Sequence, residues 1–203
     1  VTAAVGLVVA GPAAPWEAIG LTVVDGRSWV GGIELRFGAA DDVPAEGVTA
    51  WVLDGSPNRP ALIDGLPTTY VDDVEVDAWE HPLGAIGLDH VVVMTSSIER
   101  TCGEIERITG ESLKRIREAG PVRQGFHRLG PLIVEVVESD RVVADHASFW
   151  GFVLNVADID AAFERLGPDV LSPPKQAVQP GRRISSFRAA AGLGAPIALM
   201  TVR

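Results

Sequence analysis

The chain has 203 residues, 47% of them hydrophobic and 22% charged, with a formal net charge of −10. That length suffices for one large or two small domains with a true core, and no long charge-rich segment marks the chain as disordered. The acidic balance excludes a general nucleic-acid binder, because neutralising phosphates requires clustered Lys and Arg.

Lys114 and Lys175 are the two lysines, which leaves 15 of the 17 basic residues as Arg. A single cysteine, Cys102, rules out an intrachain disulfide and fits a reducing, cytoplasmic setting. The opening stretch VTAAVGLVVAGPAAP is apolar, but Gly11, Pro12 and Pro15 break it well short of the roughly 20 residues of a membrane span. It predicts a buried strand over 3–9 followed by a turn.

Further along, Trp16–Ile19 predicts one turn of helix. Strands follow at 21–24, 28–37 and 48–53, with Asp25-Gly26 as a hairpin signal. The segment 54–68 carries three prolines and predicts a loop. The acidic segment 72–82, which ends in HPLG, predicts a linker.

The strongest pattern starts at Gly87, in GLDHVVVMTSSIERTCGEIERITG. Val-rich residues 88–94 predict a strand. Ser96 with Glu99 forms S-x-x-E, a helix-start signal. Ile98, Cys102, Ile105 and Ile108 then recur at three- and four-residue spacing on one helix face, which Gly110 ends. Strands are predicted at 112–118, 122–129 and 132–138, the last two joined by a turn at Gly130-Pro131.

The order then repeats. An apolar strand ends at Val156, Asp158 is a helix N-cap, and Ile159, Ala162, Phe163 and Leu166 form a helical face that stops at Gly167. Strands at 182–188 and 196–202 close the second copy. Aligning Ile98 with Ile159 sets Gly151 opposite His90, and aligning PLIVEVVE with PIALMTVR sets Met200 opposite Glu135. A tandem repeat of this kind organises the whole fold. The reading is α+β: tandem βαβββ modules forming a cup-shaped mixed sheet over 84–203 (84–140 and 147–203), after a divergent βαβββ-like module at 1–80.

Two such modules, with GLDHVVV opening one and LIVEVVE closing it, resemble the vicinal oxygen chelate superfamily, the glyoxalase, bleomycin-resistance and extradiol-dioxygenase group. The segments RQGFHRLG and AVQPGRRISSFR further resemble an uncharacterised, glyoxalase-like actinobacterial branch. The resemblance covers 86–203 well and 1–80 loosely. It implies a cup with His90 on a first strand and Glu135 on a last strand. There they are candidate ligands for a divalent Zn, Ni, Mn or Fe ion acting as a Lewis acid. It also makes Glu135 a candidate catalytic group.

The second copy departs from that pattern. Gly151 and Met200 supply no hard ligand, whereas catalytic zinc sites keep three protein ligands. A two-residue turn at Gly130-Pro131 pairs Phe126 with Glu135, Gln124 with Val137 and Arg128 with Ile133. His127 then faces the helix or solvent. His146 and His81 lie in linkers, and Glu34 is the last-strand acid of the first copy. The bland alternative is that His90 and Glu135 pair with each other, since buried charges are normally paired.

Trp150 and Phe126 are candidate aromatic walls, and Gln124 and Arg128 share the cup face. In QPGRR, adjacent Arg182 and Arg183 point to opposite faces of a strand, so one of them can reach into the cup and clamp an anion. Cys102 should be a buried, inert thiol. The leading expectation is a small organic molecule held in the cup without a bound cofactor. The alternative is a metal-dependent lyase, isomerase or dioxygenase using His90 and Glu135, and the third is a scaffold with a vestigial site. The apolar alternation of Val5, Leu7, Val9, Ile33, Leu35 and Phe37 needs covering, either by a homodimer or by the 84–203 unit of the same chain.

Overall fold

The computed structural model describes residues 2–38, 46–56 and 58–202. The N-terminal part runs β1 (Ala4–Ala10), α1 (Ala14–Ala18), β2 (Arg27–Val30), β3 (Ile33–Gly38), β4 (Gly47–Asp54), β5 (Leu62–Ile63) and β6 (Leu66–Val71). These strands form a six-stranded sheet in the order β2-β3-β1-β4-β6-β5.

The remainder runs β7 (Ala85–Thr95), α2 (Ile98–Thr109), β8 (Arg115–Ala119), β9 (Val122–Leu129), β10 (Leu132–Glu138), β11 (Ser148–Val156), α3 (Ile159–Leu166), β12 (Lys175–Gln176), β13 (Arg183–Ser186) and β14 (Ile197–Thr201). A 3₁₀ turn at Ala189–Ala191 precedes β14. These eight strands form a second sheet in the order β12-β13-β14-β11-β7-β10-β9-β8. The fold is mixed α+β, dominated by two mixed sheets.

In the larger sheet, β7 and β11 meet antiparallel at the centre, and each is flanked by the parallel last strand of its own βαβββ unit, β10 or β14. The smaller sheet repeats this arrangement in short form. There β1 and β4 meet antiparallel, flanked by parallel β3 and β6.

Helix α2 forms where the sequence places it, but its N-cap is Ser97, one residue beyond the expected Ser96. The Ser97 side chain accepts from the Arg100 N–H at 3.3 Å, while the Ser96 hydroxyl turns away to the Ala144 carbonyl at 2.6 Å. Asp158 caps α3 as its residue type predicts, accepting from the Asp160 and Ala161 N–H groups at 3.0 Å. Ile98, Cys102 and Ile105 bury against β9 and β10. The approach is so close that a Cβ on Gly125 would lie 2.8 Å from the Cys102 sulfur. Burial pushes the Cys102 thiol up to about 12, so it is inert at neutral pH.

The N-terminal segment differs from expectation in three places. The single strand expected over 28–37 is a hairpin, β2 and β3, that turns at Gly31-Gly32, where both glycines take positive φ (59° and 83°). Residues 21–24 do not form a strand; Val24 makes only an isolated bridge to Arg27 across the Asp25-Gly26 turn. The predicted loop 54–68 contains β5 and the start of β6. These are joined by a tight turn at Asp64-Gly65, where both residues take positive φ (47° and 87°), as a two-residue hairpin requires.

One hydrophobic core joins the two sheets. Leu7, Val9, Ile33 and Leu35 from the small sheet lie in it, each at most 1% exposed. Trp16 stacks on Phe152 with ring centroids 5.7 Å apart, and Trp51 meets Phe149 edge-on at 5.6 Å. The apolar face of the first strands is therefore covered within the same chain. Polar ties cross the same junction. Asp64 accepts from the Arg100 guanidinium at 2.8 Å and from the Thr101 hydroxyl, at the N-terminal turn of α2. His81 accepts from the Thr22 N–H at 3.1 Å, and its other ring nitrogen lies 3.0 Å from the Trp29 carbonyl.

Candidate functional site

The helices and the small sheet cover one face of the large sheet, and its opposite face forms the cup. Register decides what points into the cup. On β10, Leu132, Val134 and Val136 face the core, so Ile133, Glu135 and Val137 face the cup. On β9, Gln124, Phe126 and Arg128 pair with Val137, Glu135 and Ile133 and share that face, as the two-residue turn predicts. His127 points the other way. Its Nδ1 lies 3.0 Å from the Glu111 carbonyl, and burial lowers the pKa of the ring.

On β7, strict alternation would send Asp89 and His90 to opposite faces. The pairing with β11 breaks that alternation: His90 sits opposite Val153 and Leu88 opposite Leu154, which leaves Asp89 as the extra residue of a bulge. A bulge re-aims a side chain. Here it lets the Asp89 carboxylate turn back onto His90, with Oδ2 2.8 Å from Nδ1.

The other nitrogen of His90, Nε2, lies 3.3 Å from Glu135 Oε2. Glu135 Oε1 accepts from the Gln124 amide at 2.5 Å. Arg182 reaches across from the second half of the sheet and donates to Asp89 at 2.5 Å, to the Asn155 side chain at 2.6 Å and to the Thr201 carbonyl at 2.6 Å. The result is a continuous polar chain, Arg182–Asp89–His90–Glu135–Gln124. Asp89, His90 and Arg182 are all less than 10% exposed.

Burial alone would raise the Asp89 carboxyl, but hydrogen bonds from His90 and Arg182 outweigh it and hold the group at about 2. The ionised Asp89 fixes the proton of His90 on Nδ1. Nε2 and Glu135 then face each other on the cup side, where both can reach a bound molecule. Gln124 Oε1 is buried without a partner and is free to accept from a ligand donor.

Three adjoining cavities, of about 520, 700 and 380 Å³, occupy the cup, and His90 and Glu135 border all three. One end is apolar, lined by Val92, Met94, Val137, Trp150, Phe187 and Ala198. The other end is lined by Arg115, Arg117, Phe126 and Arg128, with Lys175 and Arg182 completing it.

Of the residues singled out from sequence, His90, Glu135, Gln124, Phe126, Arg128, Trp150 and Arg182 come together here. Arg183 does not: it points outward and pairs with Asp160 on α3 at 2.5 Å. Glu34 lies on the far face of the small sheet between Arg27 and Arg36, at 3.2 and 2.7 Å. His146 is exposed beside Asp145, and His81 ties the linker to the small sheet.

The sequence missed Asp89, Asn155, Arg115 and Arg117. The first depends on a bulge that leaves no residue signature. Asn155 acts only through Arg182. Arg115 and Arg117 follow from the β8–β9 register, which pairs them with Phe126 and Gln124.

The position equivalent to His90 also shifts. Glu135 faces Val92 on its neighbouring strand while Met200 faces Asn155, so the residue that mirrors His90 is Val153 and not Gly151. Gly151 is required by packing, because a Cβ there would sit 1.9 Å from the Pro196 carbonyl oxygen. Val153, Ala198 and Met200 form a small apolar cluster in this half of the cup. Among the described residues no group of three or more His, Cys, Asp or Glu is placed to hold an ion. His90 and Glu135 contact each other directly, and Asp89 is committed to Arg182. The residues present do not fit a catalytic divalent centre.

No protein-family model matches the chain, and neither does any curated protein sequence. Solved structures are similar in fold. Methylmalonyl-CoA epimerase from Mycobacterium tuberculosis is 16% identical, covering 59% of this chain and 90% of its own, with a TM-score of 0.49. A selenomethionine-labelled methylmalonyl-CoA epimerase is 18% identical, covering 64% and 99%, with a TM-score of 0.48. A hypothetical protein from Bacillus halodurans C-125 is 13% identical, covering 57% and 94%, also at 0.48. At these identities the likeness is one of fold, and the roles of individual residues here rest on the geometry above.

Proposed function

We propose that this chain binds a small organic molecule in the cup of its eight-stranded sheet, with His90 and Glu135 at the floor of the site. One observation carries the reading: the three cavities adjoin at these two residues, where a buried polar chain ends in an unpartnered Gln124 acceptor. Concave, mostly apolar spaces with a few convergent polar groups are where proteins take small ligands. The role suggested is capture of a metabolite or drug, in a soluble setting, by a glyoxalase-like protein of the branch that the sequence resembles.

A thermal-shift screen of organic acids, alcohols and amides tests it, run on the wild-type protein and on an Ala198→Trp variant that fills the cup. A ligand present at about 100 times its Kd stabilises the fold by about 2.7 kcal/mol. Hits are expected in the wild-type protein and not in the variant. Hits that survive the filled cup would place binding elsewhere.

A second reading, a lyase or isomerase acting by proton transfer, is favoured by the Asp89–His90–Glu135 chain. In it Glu135 takes a proton from a carbon acid and His90 returns one, with Asp89 holding the imidazole. Exchange of substrate C–H hydrogen with D₂O, lost in Glu135→Gln, is its signature.

A further inference from the structure

In a chain with a formal net charge of −10, basic residues are normally spoken for. Half of the fourteen described arginines follow that pattern: Arg27, Arg36, Arg100, Arg107, Arg123, Arg182 and Arg183 each pair with a carboxylate, while Arg59, Arg165 and Arg188 donate to a hydroxyl or a backbone carbonyl outside the cup. Arg115, Arg117 and Arg128 do not form an ion pair among the described residues. Register puts all three on the cup face: Arg115 opposite Phe126, Arg117 opposite Gln124, Arg128 opposite Ile133. Arg115 lies over the Phe126 ring, 4.6 Å from its centroid, which holds the guanidinium at the cavity wall.

The described carboxylates lining the cup are Asp89 and Glu135, and each is already engaged by its own partners. One end of the cup thus gathers positive charge that no carboxylate among the described residues pairs with. The opposite end is built from Val92, Met94, Phe187 and Ala198. It is rimmed by Trp150, which leaves 52% of its surface exposed, unusual for so large an apolar side chain.

We infer that the ligand is an anion-headed amphiphile: a carboxylate or phosphate group held by Arg115, Arg117 and Arg128, and an apolar body extending past His90 and Glu135 to Trp150. Guanidinium groups bind both kinds of head in forked geometry, so the head's identity is a matter for the experiment. This inference rests on the cup being the binding site.

The test is calorimetric titration of the full chain with four probes sharing an eight-carbon tail: octanoate, octyl phosphate, 1-octanol and octylammonium, each below its aggregation concentration. One or both anions are expected to bind at least about ten-fold tighter than the alcohol, with octylammonium the weakest. In an Arg115→Ala/Arg128→Ala double variant, whose replaced side chains are exposed, that advantage should vanish while the affinity for octanol stays unchanged. The ratio of octanoate to octyl phosphate assigns the head group. Equal binding of octanol and the anions, or an anion preference that survives the double variant, overturns the inference and leaves the cup as the site. No heat from any of the four overturns both.

Discussion

The two halves of the eight-stranded sheet share one topology and differ in what they present to the cup. In the first half, β7, β9 and β10 present His90, Gln124 and Glu135. In the second, β11, β13 and β14 present Val153, Ile184, Ala198 and Met200. A symmetric scaffold has acquired a polar wall and an apolar wall. The halves are not independent, however. The Asp89 carboxylate of the polar half is held by Arg182, which the apolar half supplies from the turn before β13. The lesson is that the site belongs to the pair and not to either unit.

The largest expected effect comes from removing that tie. Arg182→Ala strips the partner from a buried carboxylate, a change that costs about 3–5 kcal/mol in comparable buried pairs. Urea denaturation should show a lower midpoint, and Arg182→Leu/Asp89→Leu should recover much of the loss by removing both charges. If Arg182→Ala alone leaves the midpoint unchanged, the Asp89–Arg182 tie adds nothing to the β7–β11 ladder that already joins the two halves.

A smaller effect is expected at the junction with the small sheet. Asp64→Ala removes the carboxylate that Arg100 and Thr101 share at the start of α2 and leaves them only Thr95 and Ser97 as acceptors, a loss of about 1–3 kcal/mol by the same denaturation assay. Asp160→Ala is the control, since it breaks the exposed Arg183 pair and should cost under about 1 kcal/mol.

Acid should act more gradually. Burial lowers the His81 and His127 pKa values below their ordinary 6.5. The unfolded chain therefore binds those protons first, and stability from the neutral rings is present above pH 6.5 and declines as pH falls below it. The Asp89 contribution is separate: it is present above the ordinary 3.8 and is lost as pH falls towards 2. Denaturation midpoints followed downward from neutral pH should show two declines. His81→Gln should weaken the first and leave the second. A single acid transition unaffected by this variant would remove His81 from the account.

Much of the large sheet could be read from residue spacing. Strands 122–129 and 132–138 follow from alternation around Gly130-Pro131, and α2 and α3 from their apolar faces and caps. The 3.3 Å approach of His90 to Glu135 follows from the strand pairing that the resemblance implies, plus the cost of leaving a carboxylate buried alone. What was not legible depends on a departure from period two and on a change of spacing between the copies. Asp89 enters the site through a bulge, and a strand-to-helix connection that is two residues shorter in the second copy, Val153 to Ile159 against His90 to Ile98, moves the counterpart of His90 to Val153. Neither leaves a mark in composition. The β5–β6 hairpin did carry a signal, Asp64-Gly65, which the surrounding prolines outweighed in the reading of 54–68 as a loop.

The register of β11 also bears on how such a cup could change its chemistry over generations. Gly151, which simple alignment would nominate for a new ligand, is closed by the Pro196 carbonyl. The open route runs through Val153, which sits opposite His90, and Met200, which mirrors Glu135 on the last strand. Both already face the cup, and both belong to its separate small apolar cluster. An imidazole at 153 and a carboxylate at 200 would add two hard donors to the cup face that already carries His90 and Glu135.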